Sequence, residues 1–156
     1  MKVSVITATF NRGHFLESCI LSILRQSIED IEIIIIDGLS TDSTSEKLKP
    51  LIDNNNNIKF YSESDLGIYD ALNKGIEKAS GDIIGFLHSD DQFHKTDVLE
   101  KIVNTFKSSN VDGVYGDLEY VDKIDTTKVV RYWKSSVFST CLLRKGWTPP
   151  HPTLFL

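Results

Sequence analysis

The sequence predicts an α/β fold, a mostly parallel sheet flanked by helices, as a single domain over residues 1–156. Two observations carry this. Short β-rich apolar runs alternate with stretches whose apolar residues recur at helical spacing, which is how stacked βαβ units read. The run Ile31–Ile36, interrupted only by Glu32, is too continuously apolar for a strand with one wet face and fits a central strand covered on both sides.

Taken in order, Lys2–Thr9 is the first strand, followed by a polar loop from Phe10 to Gly13. Phe15, Leu16, Cys19, Ile20, Ile23 and Leu24 then form one helical stripe. The second strand, Ile31–Ile36, ends at Asp37-Gly38, and Ser40 to Thr44 offer several caps for a second helix. Asn54–Asn57 is a polar turn before a third strand, Ile58–Ser62. Ile68, Ala71, Leu72, Ile76 and Ala79 mark the third helix, with Gly81 as its stop. Asp82–His88 is the fourth strand, and Val98, Leu99, Ile102, Val103 and Phe106 a fourth helix opened by Thr96 or Asp97. Val111–Tyr115 reads as a fifth strand, and Leu118–Val121 with Val129–Trp133 as a short antiparallel excursion. Beyond it the pattern weakens, except that Thr153–Leu156 again reads as strand.

A net charge of −5 excludes a general nucleic-acid binder, which needs a basic face. No apolar run reaches the ~20 residues of a membrane span, and Met1-Lys2 leads straight into a strand rather than a signal peptide. Cys19 and Cys141 fit no metal spacing and read as reduced thiols. The chain is expected to be cytoplasmic, and peripheral association at the inner face of the membrane is compatible with this composition.

The chemistry concentrates at strand ends. The second strand ends in Asp37, the loop after the third holds Glu63 and Asp65, and the fourth ends in Asp90-Asp91. In a parallel sheet these acids gather along the edge where open α/β sheets bind ligands. Adjacent carboxylates repel and are costly to desolvate unless a cation meets them. Mg²⁺ or Mn²⁺ prefers such oxygens and completes its coordination with water and substrate phosphates. Neither Gly-x-Gly-x-x-Gly nor Gly-x-x-x-x-Gly-Lys-Ser/Thr follows the first strand, so a dinucleotide or P-loop site is excluded.

Four ordered segments resemble the inverting glycosyltransferases of family 2. They are Val3-Ser4-Val5-Ile6-Thr7-Ala8-Thr9-Phe10-Asn11-Arg12, Ile36-Asp37-Gly38-Leu39-Ser40-Thr41-Asp42-Ser43-Thr44, Ser64-Asp65-Leu66-Gly67-Ile68-Tyr69-Asp70-Ala71-Leu72-Asn73-Lys74-Gly75, and Ser89-Asp90-Asp91 in the place of the Asp-x-Asp motif. The third is closest to colanic-acid-type transferases. The resemblance implies a GT-A fold (Rossmann-like) and a nucleotide-diphospho-sugar donor, with UDP-sugars favoured. It also implies a saccharide or lipid-linked acceptor and a divalent metal cofactor. By it, Thr7, Thr9 and Asn11 line the nucleotide pocket and Asp37 accepts a hydrogen bond from the base. Asp65 and Lys74 lie near the base or phosphates, Asp90 lies by the ribose, and Asp91 ligates the metal. Residues 1–121 would hold the donor and 122–156 begin an acceptor part that is incomplete.

An inverting transfer needs a base for the acceptor hydroxyl, and the family supplies an acid from a later segment. Here His151, in a Pro-His segment resembling the family's, is the remaining candidate, with Asp117 and Glu119 as alternative acids. His88 reads as a structural neighbour of the acid pair, and His94 has no evident partner. The chain is expected to be truncated. Three rivals stand beside this reading: a non-catalytic sugar-nucleotide-binding remnant, a nucleotidyltransferase, whose glycine- and arginine-rich loop is absent, and a plain interaction domain, which would leave the three acidic strand ends unexplained.

Overall fold

The computed structural model describes all residues 1–156. Its elements are β1 (Val3–Thr9), α1 (Gly13–Leu24), β2 (Ile31–Asp37), α2 (Thr44–Asn54), β3 (Ile58–Ser62), α3 (Ile68–Lys78), β4 (Ile83–Phe86), α4 (Val98–Ser108), β5 (Leu118–Val121), β6 (Val129–Trp133) and α5 (Thr140–Arg144), with a 3₁₀ turn at His151–Thr153. β1 to β4 form a parallel sheet in the order β3-β2-β1-β4, and β5 and β6 pair antiparallel beside it.

Every residue of β1 and β2 is buried, as the unbroken apolar run predicts for strands covered on both faces. On one face Val3, Val5, Ile33 and Ile35 pack with Leu16, Cys19, Ile20 and Ile23 of α1, Leu48 of α2, and Leu99, Ile102 and Val103 of α4. On the other, Ile6, Ala8, Ile34 and Ile36 meet Ala71 of α3. Alternate strand residues thus feed two cores, the period-2 consequence of the pleat.

Glu32, which looked like a mere interruption of β2, is 2% exposed and sits at the sheet end opposite the acidic loops. It accepts hydrogen bonds from the Ser4 hydroxyl (2.5 Å), the Ser80 amide (2.5 Å) and hydroxyl, Lys2 (3.1 Å) and Lys59 (2.9 Å). Burial favours the neutral acid. The Ser4 hydroxyl, Lys59, the Ser80 amide and Lys2 outweigh it and hold Glu32 well below the usual carboxylate range.

Two expectations are corrected. Val111–Tyr115 is not a strand: only Val114 pairs, and its partner is Phe155. Phe155 also bridges Gly85, while Leu156 exchanges backbone hydrogen bonds with Ile84 (2.8 and 2.9 Å). The chain end therefore occupies the edge of β4, and Phe155 is 1% exposed. Gly85 is required there, because a Cβ at that position would overlap the Phe155 ring. The expected strand Thr153–Leu156 begins instead as the 3₁₀ turn, and α5 was not anticipated.

Candidate functional site

The strand order reverses between β1 and β4, where the connections leave in opposite directions and a crevice opens. A cleft of about 560 Å³ lies there, walled by Thr9 at the end of β1, Phe10 and Arg12 just beyond it, Asp65 and Ile68 before and in α3, and His88 to Asp90 after β4. A second cavity, about 730 Å³, lies on the far side of the acid pair. Asp90 borders both and Asp91 the second, so the two carboxylates stand on the partition between them.

The loops above the cleft are fastened to one another. Asn11 adopts a left-handed backbone (φ 53°), and its side-chain oxygen accepts from the amides of Thr41 (2.9 Å) and Asp42 (3.3 Å). Asp37 is 2% exposed and accepts from the Ser40 hydroxyl, the Ser40 amide (3.1 Å) and the Ser62 hydroxyl (2.7 Å). Three of its roughly four acceptor positions are thereby used. Asp65 takes the Gly67 amide (2.9 Å), and its other oxygen stands 2.6 Å from where a Cβ on Gly38 would be. Gly38 is the residue that lets the β2 loop and the α3 loop approach.

Among the predicted site residues, Thr9, Asp65 and Asp90 line the cleft directly. Asp37 and Asn11 shape its roof through the contacts above. Thr7 is fully buried beneath it. Lys74 donates to the Ser64 carbonyl (2.5 Å) and pairs with Asp70 (3.2 Å), so it stays on α3 supporting the Asp65 loop. His151 is exposed on the 3₁₀ turn and lines neither cavity.

Other groups emerge only in three dimensions. The Thr9 hydroxyl and His88 Nδ1 are buried without a hydrogen-bond partner, and both residues wall the cleft. Such orphans are costly unless something supplies a partner. Phe10, 59% exposed, offers an apolar ring at the rim. His94 does have a partner: its Nδ1 is 3.3 Å from Glu119 of β5, and both line the second cavity. Asp117 is otherwise committed, to the hydroxyls of Tyr132 and Ser135 and the Ser135 amide. No sequence signal pairs His94 with Glu119, since the contact depends on how the hairpin folds back.

Burial, with Asp90 alongside, pushes the Asp91 carboxyl above its ordinary value, against a weaker pull from His88. A carboxylate under that strain is one a divalent cation relieves. Asp90 and Asp91 are the two carboxylates here and no cluster of three or more acidic, His or Cys side chains forms around them, so a Mg²⁺ or Mn²⁺ held by them would take its other positions from water and phosphate. The neighbouring thiol is inert: burial pushes Cys19 up to about 12, and it donates to the His88 carbonyl (3.3 Å), bracing the loop that carries the acids.

Residues 4–153 match the profile of glycosyl transferase family 2. The chain belongs to that family. It is 36% identical over 128 residues to an uncharacterized glycosyltransferase of Nostoc sp., covering 81% of this chain and 39% of that protein. The fold superposes on Staphylococcus aureus TarS 1-349, solved in complex with UDP-GlcNAc, with a TM-score of 0.72 at 23% identity over 79% of this chain and 36% of TarS. It also superposes on the mannosyltransferase PcManGT of Pyrobaculum calidifontis, solved with GDP-Man and Mn²⁺, with a TM-score of 0.69 at 22% identity over 76% of this chain and 36% of that one. The family member described here thus has the GT-A fold, as its motifs imply, and spans less than half the length of the curated relatives it matches.

Proposed function

We propose that this family 2 chain binds a nucleotide-diphospho-sugar, a UDP-sugar in preference, in the cleft between β1 and β4. We propose further that it takes part in inverting transfer of the sugar to a saccharide or lipid-linked acceptor. The observation that carries this is the cleft itself, at the switch point of a parallel sheet, with Thr9, Asp65 and Asp90 on its walls and Asp91 at its partition. Asp37, with one acceptor position left, would take the base imide N–H, and Asp65 and Asp90 would face ribose hydroxyls and phosphate. The Thr9 hydroxyl would gain the partner it lacks. Asp91, helped by Asp90, would hold a divalent cation, whose chemistry is to stabilise the charge growing on the departing diphosphate. Residues 122–156 would begin the acceptor part. Within it and its surroundings, His94 held by Glu119 is better placed than His151 to receive the acceptor proton, because it lines the cavity that Asp91 borders.

Thermal-shift measurements with UDP-, GDP- and dTDP-sugars, each with and without Mn²⁺, test this. At a hundredfold excess over Kd a ligand adds about 2.7 kcal/mol, which at this size raises Tm by roughly 5–10 °C. UDP-sugars are expected to give the largest shift and Mn²⁺ to enlarge it. Asp91→Ala should remove the Mn²⁺ increment and keep the remainder. No stabilisation by any sugar nucleotide would overturn the proposal.

A further inference from the structure

Charge is divided unevenly along this chain. Residues 1–122 carry 11 Lys and Arg against 21 Asp and Glu, whereas residues 123–156 carry six against one. All six of those cations, Lys123, Lys128, Arg131, Lys134, Arg144 and Lys145, are exposed, and none is in a salt bridge. Between them stand apolar side chains that the fold leaves in water: Ile124 is 96% exposed and Val137 90%, with Val130, Phe138 and Leu143 about half exposed. Isolated exposed apolar residues need no explanation, but here they alternate with cations that have no acidic partner, Arg131 alone lying over the Tyr120 and Trp133 rings, which is the composition of a surface that meets an anionic, partly apolar partner.

The segments form one piece. Asp117 holds Tyr132 of β6 and Ser135 beyond it. The Tyr115 hydroxyl donates to the Ser136 carbonyl (2.7 Å), and the Tyr115 ring meets Trp147 edge-on at 5.8 Å. Tyr115 and Asp117, two residues apart, thus anchor both the β5–β6 hairpin and the α5 stretch.

We propose that this basic, apolar surface docks on a bilayer containing anionic lipid. Lys and Arg near such a surface are attracted by its negative potential, and aliphatic and aromatic side chains insert at the headgroup boundary. Nucleic acid would satisfy the cations and leave Ile124, Val137 and Leu143 in water. A second copy in two-fold contact would set like charges against each other. The other face of the hairpin, through Glu119 and Tyr132, walls the cavity that Asp91 borders. Docking would therefore bring that cavity to the membrane, where a lipid-linked acceptor presents its saccharide. This last step rests on the donor-site proposal, and the docking itself does not.

The test is sedimentation of the 156-residue chain with phosphatidylcholine vesicles, with and without 30 mol% phosphatidylglycerol. The expected result at low salt is at least tenfold stronger partitioning onto the anionic vesicles, lost at high salt. The pairs Lys128→Glu with Lys134→Glu and Val137→Asp with Phe138→Ser should each weaken binding at least tenfold. Both should leave circular dichroism and sugar-nucleotide binding unchanged, since all four residues are exposed. Absence of binding, equal binding to both vesicles, or tighter binding of single-stranded RNA at the same salt would overturn the proposal. So would a solution dimer that either pair of substitutions dissociates. Sugar-nucleotide binding, measured separately, stands or falls independently of these outcomes.

Discussion

Replacing Glu32 by Gln removes one charge from the buried end of the sheet and changes no volume. The amide oxygen can keep the bonds from the Ser4 hydroxyl and Ser80 amide, but its NH₂ would face Lys2 and Lys59, donor against donor. Those two lysines are 33% and 40% exposed and recover hydration, so each lost pair costs about 0.5–1 kcal/mol. Loss of charge assistance on the Ser4 and Ser80 bonds adds about 1 kcal/mol, and an NH₂ left with the Ser80 hydroxyl as its one acceptor, against two ammonium groups, about another 1. The total, about 3 kcal/mol, lowers Tm by roughly 6–12 °C at neutral pH. The folded-state carboxyl lies below its ordinary value of 4.5, so its stabilisation is complete above that pH and is lost as pH falls further. The gap between wild type and Glu32→Gln should therefore narrow by about 1.4 kcal/mol for each unit below 4.5. Urea melts at pH 7, 4.5 and 3.5 read this directly. A gap under 1 kcal/mol at pH 7, or one that widens in acid, would refute the reasoning.

Two further substitutions probe other features of the fold. Leu39 holds a left-handed backbone (φ 61°) while 52% exposed, a cost of about 1–2 kcal/mol that side-chain burial does not repay. Leu39→Gly should raise Tm by roughly 2–4 °C after the unfolded-state entropy of glycine is counted, and a fall in Tm would contradict the strain. Gly85→Ala drives a methyl group into the Phe155 ring and should cost about 2–3 kcal/mol, read as a lower urea midpoint. An unchanged midpoint would mean that Phe155 does not pack on β4.

The strands and helices that position the site were legible because their periodicity is local. Ile31–Ile36 could be little else than a doubly covered strand, and the stripe of Leu16, Cys19, Ile20 and Ile23 could face only one way. The acids at strand ends were legible for the same reason, since parallel βαβ order puts them on one edge. What was not legible depends on long-range contact. Val111–Tyr115 has a strand's composition, but the place beside β4 goes to Phe155, some forty residues later. Glu32 looked like a flaw until Lys2, Ser4, Lys59 and Ser80 surrounded it. His94 had no partner in sequence, and Glu119 reaches it only because the hairpin folds over α4 and the loop after β4. Asn11 was read as lining the nucleotide pocket, and the further task of its side chain, holding the Thr41–Asp42 loop, had no signal in sequence.

The location of the donor is the central claim, and amide-resolved NMR tests it most directly. Adding a UDP-sugar should move the amides of Thr9, Phe10, Arg12, Asp65, Gly67 and Ile68, which line the β1–β4 cleft, and that of Ser40, which donates to Asp37. Subsequent Mn²⁺ should broaden Ser89 to Gln92 beyond detection in wild type and leave them sharp in Asp91→Ala. Shifts confined to α4 and the β5–β6 hairpin, or Mn²⁺ broadening that ignores Asp91, would contradict the account.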